Sequence, residues 1–487
     1  MERLNGVVGF LILLGIAYAL SSNRKAIRWK TVGWGIGLQF VVGLVVLRGD
    51  WLSQQFVWVP LSPLVLVILL IPQILMLFVL GTRWLPRSTM LGKYLRLAVG
   101  IQILIAALKF RWISSLFATM RDVVHSLISY SSEGSKFVFG ALGTDQGQGN
   151  IGFIFAFQVL PMIIFVASLF AVLYYLRVMP IAIKLVSRVM GRIMGSSGGE
   201  SMSVAASIFM GQAEAPLTVR PFLAEMTRSE LMTVMTAGMA HVSGGIMTAY
   251  VLVAQVDVVH LITAVVMTAP GSIMVAKIMV PETARPKSSP DLEFKIPRSD
   301  VNLLDAAARG ASEGVKLAIN VAGMLIAFIA LVALCNGLLT FVHQQLSLQA
   351  IRFPSSAGFW QFLVQYFPEN LQAILGTLFR PIAWAMGISW KDSFEVGNLL
   401  GTRMVLNEFV SFLRLGEIGS SLEPRSVTIS TFALCGFANF GSIAIQIGAI
   451  GSLAPSRRHD LANLGIWAMI GGTLANFLSA TIAGIIL

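Results

Sequence analysis

Repeated apolar runs of about twenty residues constrain this chain more than any other feature. A helix needs roughly 20 consecutive apolar residues to cross a bilayer. Only 12% of the 487 residues are charged, against about a quarter in soluble domains, and the runs lack the alternating pattern of an outer-membrane barrel. The sequence therefore predicts an all-α polytopic membrane protein with about ten transmembrane helices. Their approximate positions are 5–22, 32–49, 61–81, 93–110, 152–176, 230–254, 258–280, 315–341, 425–450 and 463–486.

Basic residues predict the orientation of these helices. Lys and Arg cluster after odd-numbered runs, as at 24–30 and 83–96, whereas connections such as 50–59 carry none. Because basic loops stay on the cytoplasmic side, the alternation fits ten crossings of a bacterial inner membrane with both termini periplasmic. The same bias accounts for the net charge of +12 without a nucleic-acid partner. The first run resembles a signal peptide, but its basic cluster follows the apolar stretch, which indicates a retained helix.

Two half-apolar regions, 195–228 and 371–415, do not have the pattern of simple crossings. Both are rich in small and polar residues and contain acidic ones, which is typical of re-entrant helical hairpins buried in protein. Each precedes an apolar run that is interrupted, at Ser243-Gly244-Gly245 and at Gly436-Phe437-Ala438-Asn439. The first hairpin would start from the cytoplasm and the second from outside, which predicts an inverted repeat with two broken helices. In transporters, that arrangement surrounds a substrate site at the membrane midplane.

This organisation divides the chain into four predicted parts. Residues 1–194 would supply N-terminal scaffold and interfacial helices, and residues 281–345 a cytoplasmic connector with a further scaffold helix. Residues 195–280 and 346–487 would form two transport-domain repeats, each with a hairpin, a broken helix and a following helix. The runs within 61–110 receive no role beyond scaffold.

Polar side chains in the hairpins and breaks are the candidates for substrate binding, because polar groups at membrane depth are costly and usually functional. An amide such as that of Gln212 can donate to and accept from the edge of a nucleobase. The carboxylate of Glu408 could accept hydrogen bonds from adjacent ribose hydroxyls, and the ring of Phe437 could pack against a base. The full set of substrate-binding candidates is Gln212, Glu214, Asn407, Glu408, Phe437, Asn439 and Ser442.

Simpler roles and other classes of protein compete with this interpretation. Glu214 could pair with Arg220, and Glu408 with Arg403 or Arg414. An intramembrane enzyme would need a metal or nucleophile constellation, but the sequence contains no HExxH motif and no DxD pair, and its two cysteines lie in apolar runs. An ion channel would not need an amide opposite a carboxylate in an inverted repeat. A sensor would bind the same substrate without transporting it. We therefore predict a transporter, not an enzyme, with no metal and no cofactor.

Four separated motifs resemble the signatures of the concentrative nucleoside transporter family. They are Gly211-Gln212-Ala213-Glu214-Ala215-Pro216, Met226-Thr-Arg-Ser-Glu230-Leu, Leu406-Asn407-Glu408-Phe409-Val410 and Ala433-Leu-Cys-Gly-Phe437-Ala-Asn439-Phe. The resemblance covers about residues 130–487. It implies a nucleoside importer that forms a homotrimer and moves its transport domain past a static scaffold like an elevator. The implied base contacts are Gln212, Glu214 and Phe437, and the implied ribose contacts are Glu408, Asn439 and Ser442.

Three positions depart from the family's sodium-coupled pattern. Ala213 replaces a hydroxyl residue that often contacts the base, Ser207 replaces an Asn, and Gly245 replaces a hydroxyl residue of the first broken helix. Because sodium sites are built from oxygen ligands, these changes favour a proton over sodium as the coupling ion, with sodium as the alternative. The candidate proton carriers are His241, Glu214 and Glu408. A neutral histidine hydrogen-bonded between helices is the simpler role for His241. The sequence does not distinguish purine from pyrimidine nucleosides.

Overall fold

The computed structural model describes residues 2–49, 51, 112–143, 154–288, 300–352 and 357–487. Within these ranges every regular element is a helix, which confirms the all-α prediction. The runs predicted at 61–81 and 93–110 lie outside the described residues.

Seventeen of the described helices have ten or more residues. The first part of the chain forms α1 (Glu2–Ala19), α2 (Trp29–Leu47), α3 (Trp112–Phe139), α4 (Leu160–Tyr175) and α5 (Val178–Met194). The first predicted repeat forms α6 (Gly198–Ser207), α7 (Arg228–Ala240), α8 (Gly244–Ala254) and α9 (Val258–Met279). The remainder forms α10 (Leu303–Arg352), α11 (Ala357–Tyr366), α12 (Leu371–Ala385), α13 (Ser393–Val405), α14 (Glu408–Ile418), α15 (Pro424–Leu434), α16 (Phe440–Leu453) and α17 (Arg458–Ile486).

Several of these stretches are long and apolar enough to cross a membrane. α1 and α16 are apolar but shorter. The predicted total of ten crossings stays a prediction, because two of the ten runs fall outside the described residues. The six spanning stretches found in the described ranges are Trp29–Leu47, Phe155–Tyr175, Arg228–Ala254, Val258–Met279, Leu303–Gln349 and Pro455–Ile486.

Both predicted helix breaks are present. Residues 241–243 separate α7 from α8, and residues 435–439 separate α15 from α16. Asn439 caps α16, because its side-chain Oδ1 accepts a hydrogen bond from the Ser442 backbone N–H at 2.9 Å. Asn407 caps α14 in the same way. Since such caps satisfy backbone donors that a helix start leaves without partners, these two asparagines fix where α14, in the second hairpin, and α16, after the second break, begin.

The second hairpin region contains one helix more than a two-armed hairpin needs. Residues 371–418 form α12, α13 and α14, and α12 packs along α13. Glycines allow this close approach: a Cβ on Gly397 would lie 2.7 Å from the carbonyl oxygen of Gly376. Small residues at a helix interface let two backbones approach closely in membrane proteins. The turn that carries Asn407 lies between α13 and α14.

The core centres on α17, which packs against α1, α7, α9, α15 and α16 and is almost entirely buried along its apolar length. α1 and α2 also pack against α9 and α17. By contrast, α10 packs mainly on α4 and exposes most of its apolar side chains, as expected of a helix that faces lipid or another subunit. The division into scaffold and transport parts stays a prediction.

The ends of three helices lie together at one side of the molecule. Arg3 at the start of α1 donates to the carbonyl oxygen of Leu487, and Arg48 after α2 donates to the carbonyl oxygen of Ile486 at 3.0 Å. Residues 3 and 487 therefore lie on the same side, as the predicted topology requires. Which side of the membrane this is stays a prediction.

Candidate functional site

The carboxylate of Glu408 is a meeting point of the two repeats. Its Oε1 accepts a hydrogen bond from the Tyr250 hydroxyl at 2.9 Å, and its Oε2 lies 3.5 Å from the side-chain nitrogen of Asn439. All three side chains are buried. Glu408 begins α14, Tyr250 lies on α8 after the first break, and Asn439 lies in the second break. The fold thus brings residues 158 positions apart to one carboxylate.

The amide of Gln212 extends this contact toward the first hairpin. Its Nε2 donates to the hydroxyl of Ser442 at 2.9 Å, and the backbone N–H of Ser442 donates to Asn439. Gln212, Ser442, Asn439, Glu408 and Tyr250 therefore form one continuous chain of polar contacts, which we call the polar chain. The Oε1 of Gln212 is buried and has no hydrogen-bond partner in the described part of the protein. Such an acceptor can receive a hydrogen bond from a base donor.

Two predicted base contacts lie beside the polar chain without joining it. Glu214 is exposed, and its Oε2 accepts a hydrogen bond from the backbone N–H of Gly211 at 3.3 Å, within its own hairpin. Phe437 is half-buried against the core. The first hairpin rests on the first break, because the backbone N–H of Gly244 donates to the carbonyl of Phe209 at 3.2 Å. The hairpin and the break are therefore joined by backbone contact.

The ion pairs that competed with a binding role do not form within the described ranges. Arg414 pairs with Glu417 at 2.8 Å, and no salt bridge among the described residues joins Glu214 to Arg220. Arg403 directs its guanidinium to backbone carbonyls and an amide, and not to the carboxylate of the second hairpin. The carboxylate is thus held by neutral groups.

Behind the polar chain, a second polar group connects the two breaks. Arg403 is buried and donates to carbonyl oxygens around the second break and to the side-chain oxygen of Asn476. Asn476, on α17, donates to the carbonyl of Ala240 at 2.7 Å and to the carbonyl of Cys435 at 2.9 Å. These carbonyls end α7 and follow α15, where a helix leaves acceptors without intrahelical partners. We call Arg403 and Asn476 the break node.

Sequence reasoning did not find Tyr250 or Asn476. Both are polar side chains within apolar runs, which is a general signal of function or of internal hydrogen bonding in a membrane protein. Hydropathy alone treats Tyr250 as an ordinary apolar-run residue, because a tyrosine is common near membrane interfaces. Only the fold shows that its hydroxyl meets a carboxylate.

The coupling-ion candidates of the first repeat lie apart from the polar chain. The hydroxyl of Ser207 is buried and donates to the carbonyl of Ser203 in its own helix at 2.9 Å. The buried ring of His241 lies at the end of α7, with Nδ1 2.7 Å from the carbonyl of Ala237. This contact is local to the end of α7, so a histidine hydrogen-bonded between helices stays a prediction. Gly245 lies in the first turn of α8 and offers no side chain.

The chain is similar to known transporters over nearly its whole length, beyond the region 130–487 that carries the motifs. Residues 8–60 and 92–142 match the profile described as "Na+ dependent nucleoside transporter N-terminus", residues 260–484 match the corresponding "C-terminus" profile, and residues 156–256 match one described as "Nucleoside recognition". The chain is 38% identical over 486 residues to the uncharacterized transporter YutK of Bacillus subtilis (strain 168), with 99% of each chain covered.

A nucleoside permease and a solved structure are also similar to this chain over nearly its whole length. The nucleoside permease NupC of Helicobacter pylori (strain ATCC 700392 / 26695) is 36% identical over 493 residues, which cover 99% of this chain and 98% of the permease. The structure of CNTnw in an inward-facing substrate-bound state superposes with a TM-score of 0.78 at 35% identity, covering 100% of this chain and 99% of that chain. This chain therefore belongs to the concentrative nucleoside transporter family.

Proposed function

We propose that this protein imports nucleosides across a bacterial inner membrane by secondary active transport. The observation that carries the proposal is the polar chain, which joins the two repeats at the breaks. At one end Gln212 presents a buried acceptor without a partner, and at the other Glu408 presents a carboxylate held by neutral groups. A nucleoside has the matching halves, a base edge with donors and acceptors and a ribose with adjacent hydroxyls.

The relatives support an alternating-access cycle. CNTnw has been solved in an inward-facing substrate-bound state and, as a variant, in an outward-facing state. We infer that this chain passes between corresponding states by an elevator-type movement of the parts that carry the hairpins. We also infer a homotrimer, as membership of the family implies, and α10, which exposes an apolar surface along most of its 50 residues, is available for a subunit contact. Both termini would face the periplasm.

For the coupling ion we propose a proton. Nucleosides are neutral, so uphill import needs a coupled cation, and one charge moved inward is worth about 2.3 kcal/mol per 100 mV. At ~1.4 kcal/mol per tenfold, that energy supports a gradient of about fifty-fold. The hydroxyl of Ser207 is engaged within its own helix and Gly245 has no side-chain oxygen, which leaves fewer oxygen ligands for sodium. The "Na+ dependent" description of the matching profiles favours the alternative, sodium.

Purified protein in liposomes separates the two coupling ions. Uridine uptake is measured under an inward proton gradient, an inward sodium gradient, or neither, at the same membrane potential. Proton coupling predicts uptake that follows the pH gradient and survives complete replacement of sodium. Uptake that collapses without sodium and ignores the pH gradient would establish the alternative.

The function itself is tested with Glu408→Gln. We expect this variant to express and fold normally but to lose uridine uptake, because a neutral amide cannot accept strong hydrogen bonds from the ribose. Glu417→Gln is the matched control, since Glu417 lies on the same helix but is exposed and paired with Arg414. Equal uptake by both variants and the parent protein would show that the assigned site is wrong.

A further inference from the structure

Tyr250 is fully buried, and two aromatic rings pack against it. Its ring stacks on Phe412 with centroids 4.3 Å apart and an interplanar angle of 16°, and the ring of Phe409 lies 5.7 Å away. Phe409 and Phe412 both belong to α14, the helix that Glu408 begins. The ring packing therefore fixes where the tyrosine hydroxyl lies relative to this carboxylate.

The two oxygens of Glu408 are held unequally. Oε1 receives the tyrosine hydroxyl at 2.9 Å, a normal distance for a hydrogen bond between oxygens. Among the described residues, Oε2 has only the amide of Asn439 at 3.5 Å, the outer limit of a hydrogen bond. A tyrosine hydroxyl can donate only one hydrogen bond, so it occupies one oxygen and leaves the other weakly engaged. A carboxylate with one oxygen fixed also has fewer orientations available to it.

We propose that Tyr250 is a positioning residue that holds Glu408 by one oxygen and reserves the other for a ribose hydroxyl. The inference rests on the proposed function. Tyr250 belongs to the first repeat and Glu408 to the second, so the orientation of the ribose-binding carboxylate is set by the opposite repeat. Selectivity between ribose and deoxyribose then depends on a hydroxyl that does not touch the nucleoside.

The test is Tyr250→Phe, which removes the hydroxyl and keeps the ring that stacks on Phe412. Inhibition of labelled uridine uptake is measured with uridine, 2′-deoxyuridine, 3′-deoxyuridine and cytidine as competitors. Once Glu408 is free to turn, we expect the preference for uridine over one of the deoxynucleosides to fall by about three- to tenfold. The ratio of uridine to cytidine should stay within about twofold, because the base is bound at the other end of the polar chain.

Two controls separate positioning from general damage. Phe412→Leu loosens the ring packing but keeps the hydroxyl, so it should lower the melting temperature and reduce deoxyribose selectivity by less than Tyr250→Phe does. Tyr130→Phe removes the hydroxyl of an exposed tyrosine on α3, outside the polar chain, and should behave as the parent protein. If Tyr250→Phe is folded but too slow for uptake, the same competitors are compared by nucleoside-induced thermal stabilisation.

The outcomes distinguish this inference from the proposed function. Deoxyribose selectivity that is unchanged in Tyr250→Phe, or that changes no more than base selectivity does, overturns the positioning role. If Glu408→Gln still abolishes uptake in that case, the proposed function stands and only the inference fails. If Glu408→Gln transports normally, the site assignment fails together with the inference.

Discussion

Replacing Asn476 by leucine should strongly lower the free energy of unfolding, because one side chain serves three buried partners. Asn476 is fully buried and makes three hydrogen bonds, donating to the carbonyls of Ala240 and Cys435 and accepting from Arg403. Leucine has a similar size but no polar atom, so the substitution leaves two carbonyls and one guanidinium N–H short of a partner. Each buried group without a partner costs about 1–3 kcal/mol. Three such groups give an expected loss of about 3–9 kcal/mol in stability.

Thermal unfolding in detergent, followed by intrinsic fluorescence and by monodispersity, measures this effect. For a chain of 487 residues, each kcal/mol lowers the melting temperature by about 1 °C, so the melting temperature of Asn476→Leu should fall by about 3–9 °C. The control is Thr473→Val, three residues earlier on the same helix. The Thr473 hydroxyl is buried and has no partner in the described part of the chain, so its removal should leave the melting temperature equal or higher.

A melting temperature of Asn476→Leu equal to that of Thr473→Val would refute the reasoning. It would mean that the carbonyls at the two breaks find other donors, such as water, and that the break node carries no stability. If uridine stabilises the parent protein but no longer stabilises Asn476→Leu, Asn476 would instead lie in the binding site and not behind it.

Three further substitutions test the base-binding end of the polar chain, a buried ion pair and a close helix contact. Gln212→Ala should change the ratio of uridine to cytidine uptake by several-fold while leaving deoxyribose selectivity unchanged, as measured by competition. The ammonium group of Lys277 lies 2.7 Å from the buried carboxylate of Glu200 and 3.3 Å from that of Glu282. Lys277→Met leaves both carboxylates without this cation, so it should lower the melting temperature through a loss of about 3–5 kcal/mol in stability. A melting temperature equal to that of the parent protein would contradict this. Gly397→Ala should cost about 1–3 kcal/mol, because its Cβ would meet backbone atoms of α12 at 2.7 and 2.8 Å, and a rise in melting temperature would contradict it.

Hydropathy located most helices because burial in lipid requires long apolar runs, and it marked both breaks because Gly and Asn interrupt them. It was less informative where polar residues extend a helix beyond the bilayer. The run predicted at 315–341 is the middle of α10, which continues from Leu303 to Arg352. The polar ends of such a helix carry no hydropathy signal. The sequence also places α12 in the second predicted hairpin, 371–415, because a half-apolar helix and a re-entrant arm have the same composition.

Site residues were predictable only where a local motif exposed them. Gln212, Glu408 and Asn439 are costly polar groups beside helix breaks, so sequence alone indicated them, and the fold brings them together in the polar chain. Tyr250 and Asn476 act across 158 and 236 sequence positions, respectively. Periodicity and motif spacing describe only neighbours along the chain. The partners of these two side chains are therefore set by helix packing, which local pattern does not specify.

The two repeats are connected twice, and this bears on how the site moves. In the polar chain, Gln212 of the first hairpin bonds Ser442 after the second break. In the break node, Asn476 bonds carbonyls of both breaks. A movement of one repeat past the other would break both sets of buried hydrogen bonds at once, and groups without partners in the membrane interior are costly. For the proposed elevator movement, the contacts therefore favour a cycle in which both hairpins and both broken helices travel together as one body.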